Sequence, residues 1–116
     1  MIELPFPDKA LWPNGRPHYM AKHRAFQKHK DWAYHAMLAI LPRCYRHNGK
    51  RIEWTVTVYP KPKTTRSIDK DNAASAMKAY QDGFALAMGI DDSLFEQPRI
   101  QFGENVPNGK IVVSLS

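Results

Sequence analysis

The sequence is poor in the features that hold secreted and membrane proteins together. Cys44 is the single cysteine, so no disulfide can form within the chain and stability must come from a core. Cys44 itself reads as a structural residue. No run approaches the roughly 18 consecutive apolar residues of a membrane span. The opening Met1-Ile2-Glu3-Leu4-Pro5 has no basic stretch leading into an apolar one, so no secretion signal is expected. These absences predict a cytoplasmic protein with no membrane partner. Acidic residues are also scarce, 11 against 17 Lys and Arg, for a formal charge of +6. That balance excludes an acidic solvating chain and favours a polyanionic partner, nucleic acid ahead of an anionic membrane. Simple solubility is the other reading of the same charge.

With 116 residues, 43% of them hydrophobic and 24% charged, the chain has the composition of one folded domain spanning 1–116. His18, His23, His29, His35 and His47 raise the question of zinc. Their helical spacings of five and six put them on different faces, and with one thiol a zinc site is not expected.

Along the chain, Met1 to Phe6 reads as a short strand, and Pro13-Asn14-Gly15-Arg16-Pro17 as a loop. A helix is predicted from about Met20 to Leu41, with Trp32, Ala33, Ala36, Met37 and Ile40 as its apolar stripe and Pro42 as its stop. Its first half carries Lys22, His23, Arg24, Lys28, His29 and Lys30, either a face toward phosphates or a solvated one. After Asn48-Gly49, Ile52, Trp54, Val56 and Val58 alternate with polar residues over one strand. Pro60-Lys61-Pro62-Lys63 then leads through Arg66 toward Asp69. A second helix is expected from about Ala73 to Met88, with Ala73, Ala76, Met77, Tyr80, Phe84 and Ala87 buried and Gly89 as its cap. Gly83 inside it signals either a close approach to another element or a kink. Ile100 with Phe102, then Ile111, Val113 and Leu115, give two final strands. The order predicts an α+β domain: one mixed β-sheet of about four strands with two main helices packed against it.

Five of the 11 acidic residues fall between Ser67 and Ser93: Asp69, Asp71, Asp82, Asp91 and Asp92. In extended geometry Asp69 and Asp71 project to one side. A helix of about sixteen residues would hold them about 24 Å from Asp91-Asp92. The pairs meet only if the neighbouring strand runs back along the helix, or if the helix starts later or bends at Gly83. Together they would make a hard-oxygen site suited to Mg²⁺ or Mn²⁺ and to phosphodiester hydrolysis. The other reading makes Asp71 or Asn72 an N-cap, Asp91 and Asp92 turn residues, and Lys78 with Asp82 a minor surface pair.

The run Asp69-Lys70-Asp71-Asn72, Lys78, Asp82-Gly83 and Gly89-Ile90-Asp91-Asp92 resembles the signature of RusA-like Holliday junction resolvases, many of them phage-encoded. Leu4-Pro5-Phe6-Pro7 and Pro13-Asn14 resemble their N-terminal strand and loop. The resemblance implies a Mg²⁺-dependent endonuclease that acts as a homodimer on four-way DNA junctions, with Asp69, Asp71 and Asp92 as metal ligands. It implies that Lys78 offsets charge on the scissile phosphate. In one common form of the motif that lysine sits about a turn nearer the Asn, at the position of Ser75 here. Lys61, Lys63, Arg66 and Lys70 are the expected phosphate contacts. A flap or other branched-DNA nuclease would use the same residues, and a non-catalytic DNA-binding protein would use the basic ones alone.

Overall fold

The computed structural model of the protein describes residues 1–8, 11, 19–43, 45–62 and 70–115, with only the backbone of Lys70 and Asp71. The predicted loop from Pro13 to Pro17, Cys44, Lys63, Arg66 and Asp69 lie outside the described residues.

Alternating apolar residues build the sheet. Strands β1 (Ile2–Pro5), β2 (Trp54–Tyr59), β3 (Arg99–Phe102) and β4 (Lys110–Leu115) pair in the order β1-β4-β2-β3. The β1–β4 and β4–β2 pairs are antiparallel and β2–β3 is parallel. The sheet is therefore mixed and the class is α+β, as the pattern of elements predicts. Ile2, Leu4, Trp54, Val56, Val58, Ile100, Ile111 and Val113 point into one core. Phe102 does not share that burial, because it lies at the end of an edge strand and stays 42% exposed.

Helix α1 (Tyr19–Ile40) matches the expected span to within a residue at each end, but its buried line is different. Ala25, His29, Ala33 and Met37 face inward, while Trp32 and Ile40 are exposed. The expected second helix starts earlier, at Lys70, and is two: α2 (Lys70–Ala76) and α3 (Lys78–Met88). The break falls at Met77, whose N–H is shared between the carbonyls of Ala73 and Ala74. It does not fall at Gly83. A Cβ on Gly83 would stand 2.3 Å from the Lys30 carbonyl oxygen and 2.8 Å from Ala33 Cβ, so this glycine marks where α3 meets α1 backbone to backbone.

A parallel pair such as β2–β3 requires the chain to return to the end of the sheet where β2 began. The return starts at Gly89, which takes the left-handed conformation at φ 70°. The Gly89 and Ile90 amides donate to the Leu86 and Ala85 carbonyls, the Schellman pattern that turns a chain out of a helix. A short 3-10 turn (Asp92–Leu94) follows, and Ile52 then exchanges backbone hydrogen bonds with Leu94 and Glu96. Among the described residues no helix is long and apolar enough to cross a membrane.

Candidate functional site

The return after Gly89 has a chemical consequence. It lays Asp92 against the first turn of α3, at the far end of that helix from Met88. Lys78 Nζ donates to Asp92 Oδ2. Gln81 Nε2 donates to the Asp92 carbonyl at 3.1 Å and so fastens the backbone there. Its neighbour Asp91 is engaged differently, because its Oδ1 accepts from Ser93 N–H and caps the 3-10 turn. The two members of the pair have thus separated into a structural and an available carboxylate.

Asp92 reaches Lys78 because the chain after Gly89 runs back along α3. Asp71 lies in α2, across the break at Met77 from Lys78. Because α2 begins at Lys70, Asp71 and Asn72 belong to its first turn and not to the N-cap position. Ser75 and Lys78 line one groove of about 600 Å³ together with Gln81, Glu96 and Gln97, so the shift of the lysine by three positions keeps it on the same face.

In the sequence Asp82 is one of the clustered acidic residues and the i+4 partner of Lys78, without a place among the expected ligands, and its surroundings give it a closer part. Its Oδ1 lies 3.1 Å from Lys78 Nζ. That oxygen is shut off from solvent without a well-aligned hydrogen bond, so the lysine supplies charge more than geometry. Lys30, Asp82, Leu86, Ile90 and Asp92 line a shallow, open hollow of about 240 Å³. Lys30 and Gln81 carry no sequence signal for such a place, since only the packing of α1 on α3 and the return loop bring them there.

The charges are mutually held. The hydrogen bond from Lys78 keeps the Asp92 carboxyl below its ordinary range. Burial opposes the charge on Lys78, but its contacts with Asp92 and Asp82 outweigh that and raise its pKa. Both groups are therefore ionised at neutral pH. Among the described residues no three His, Cys, Asp or Glu side chains are gathered as a metal site. The donors that are gathered fit a hard divalent cation in kind: carboxylate oxygens, one of them buried without a hydrogen bond.

Lys61 stands apart from this cluster. It follows β2 and lies 5.9 Å from the centre of the Phe6 ring, in a separate groove. His29, expected on a basic face, is buried instead. Asp8 N–H donates to its Nε2 at 3.1 Å, which leaves the proton on Nδ1, 2.7 Å from the Tyr80 hydroxyl. That hydroxyl in turn donates to the Pro5 carbonyl at 2.6 Å. Burial lowers the His29 pKa from 6.5 to about 4, with the Lys28 charge adding to the effect.

Because the folded state disfavours the imidazolium, His29 contributes its full stability above pH 6.5, and that contribution falls as the pH drops toward 4. The loss should approach about 3 kcal/mol. Urea midpoints measured from pH 7 to pH 4.5 should decline, and His29→Gln should flatten the slope. Parallel profiles for the two proteins would show that other groups set it.

No family model matches the chain. It is similar to an uncharacterized protein of Xylella fastidiosa (strain Temecula1 / ATCC 700964), 29% identical over 122 residues that take in 99% of this chain and 74% of the relative.

Proposed function

We propose that the protein is a structure-specific, Mg²⁺-dependent DNA endonuclease of the RusA-like kind, which resolves Holliday junctions as a homodimer in the cytoplasm of a bacterium or of a phage-infected host. The observation that carries this reading is the reversal at Gly89, which lays Asp92 beside Lys78 at the start of α3, the helix that follows the one beginning Lys70-Asp71.

In this reading Asp69, Asp71 and Asp92 hold the cation, with Mn²⁺ as a substitute for Mg²⁺. When bound, the cation supplies Lewis-acid polarisation of the phosphate and a water of lowered pKa. Lys78 brings a permanent positive charge to the scissile phosphate, and Asp82 retains that lysine at the site when Asp92 is otherwise engaged. Gln81 holds the backbone of Asp92 against α3, so the carboxylate is presented from a fixed point. The open groove beside Lys78 offers a path for the strand to be cut. Lys61, Lys63, Arg66 and Lys70 neutralise phosphates farther along the arms. A two-fold dimer is the simplest assembly that presents one such site to each of two equivalent strands.

The test is incubation with end-labelled four-way junction, flap and linear duplex, with Mg²⁺, with Ca²⁺ and with EDTA. Paired nicks in the junction with Mg²⁺ are expected, and binding without cutting in Ca²⁺. Preferential cutting of the flap would keep the chemistry and change the substrate. Retarded junction with no cleavage in Mg²⁺ or Mn²⁺ would replace the enzyme with a DNA-binding protein.

A further inference from the structure

A second concave site lies where β1 ends and β2 has just ended. It is a groove of about 340 Å³, whose walls include Phe6, Pro7, Lys28, Trp32 and Lys61 and whose floor includes His29. Two features of its lining suit a flat, anionic ligand. Trp32 keeps 40% of its surface exposed, although Ala33 beside it on α1 is wholly buried. Each large ring also carries an ammonium: Lys28 Nζ is 5.3 Å from the Trp32 ring centre and Lys61 Nζ is 5.9 Å from that of Phe6. A similar pairing, Lys110 5.1 Å over Tyr59, lies at this end of the sheet but on the face away from the helices.

We infer that this groove binds an unpaired nucleotide of a DNA strand, its base stacked on the aromatic lining in place of the ammoniums and its flanking phosphates met by Lys28 and Lys61 as they leave the rings. The inference rests on the endonuclease reading for the choice of DNA, and it names the part of a branched substrate to be held, a nucleotide unpaired at the branch point.

The chemistry selects the ligand. Aromatic faces take any base, because every base has a π-face, and cations beside them track the backbone. A base pair inside a duplex has both faces covered by its neighbours, so a duplex can use the lysines but not the rings. At the floor, both ring nitrogens of His29 are engaged with Asp8 N–H and the Tyr80 hydroxyl, so the imidazole offers an apolar edge and no competing charge. Asp8 lies 3.7 Å from Lys28. This carboxylate offsets part of the positive charge, so the rings and not the charge alone must supply the preference for a single strand.

Fluorescence anisotropy in EDTA with labelled (dT)8 and with a blunt 16-base-pair duplex tests this without any cleavage. Trp32→Ala, at an exposed position, should weaken (dT)8 binding about tenfold and change duplex binding less than twofold. Circular dichroism melts serve as the check on folding. Lys61→Ala should lower the log-log salt slope for (dT)8 by about 0.7. Wild-type affinity for (dT)8 in Trp32→Ala, equal losses for duplex and single strand, or no (dT)8 binding by the wild type at low salt would each overturn the inference. Its fate is separable from that of the nuclease. Junction cleavage with Trp32-independent (dT)8 binding sinks the groove alone, and Trp32-dependent binding without any cleavage sinks the nuclease alone.

Discussion

Asp92→Asn is expected to lower Mg²⁺-dependent junction cleavage by on the order of 10²–10³-fold, the scale on which loss of one charged stabiliser of a transition state is felt. Junction binding should persist, because the substitution removes negative charge from a surface that must approach DNA. The fold should persist as well. Gln81 holds Asp92 by its backbone carbonyl, which asparagine retains, and the Lys78 contact is made at a half-exposed surface. Asp69→Asn and Asp71→Asn should behave in the same way if all three serve one cation. Asp91→Asn is the internal comparison, since an asparagine oxygen can still accept from Ser93 N–H and cap the 3-10 turn. It should retain most of the activity. Gel-resolved cleavage rates, with binding measured in Ca²⁺, provide the measurement. Equal rates for Asp92→Asn and wild type would remove Asp92 from the chemistry, and equal losses at Asp91 and Asp92 would point to general charge in place of a defined ligand.

Gly83→Ala carries the largest expected effect on stability. In most helices this change stabilises, since alanine is favoured over glycine by about 1 kcal/mol in a helix interior. Here the added methyl would meet the Lys30 carbonyl oxygen at 2.3 Å, Ala33 Cβ at 2.8 Å and the Tyr34 nitrogen at 3.0 Å. Two of those three atoms belong to the backbone and cannot rotate away, so α1 and α3 must separate. We expect a net loss of about 3 kcal/mol and a melting temperature lower by about 10 °C. Because α3 also carries Lys78 and Asp82, the same shift should disturb the acidic hollow. An unchanged urea midpoint would show that the helices are not in backbone contact at this position.

Gly83 is legible in the sequence as a choice between a kink and a close approach, and only the position of α1 decides between them. The break in the helix falls at Met77, which is apolar and helix-compatible and gives no warning. Residue type alone groups His29 with its basic neighbours. Its partners, Asp8 N–H and the Tyr80 hydroxyl, lie 21 and 51 residues away in sequence. A buried polar group is tolerable only when both its ends are satisfied, and no local pattern records partners at such distances. Trp32 departs in the opposite direction: hydrophobicity places it in the stripe of α1, whereas the close seating of Ala33 on Gly83 leaves a large ring no room there.

Local patterns are enough to establish the α+β class, the inward-facing residues of the strands, the approximate spans of the helices and the turn at Gly89. Strand alternation, helical periodicity and the freedom of glycine at positive φ are all properties of a few neighbouring residues. Composition likewise shows which residue types are on hand for metal and phosphate chemistry. Where they meet is a matter of topology. The β2–β3 pair is parallel, so the chain must retrace α3 before entering β3, and that retracing brings Asp92 to Lys78 and Asp82 across 14 and 10 positions of sequence. Such contacts follow from which strands pair and in what direction. The sheet as a whole selects that pairing, and no single segment carries it.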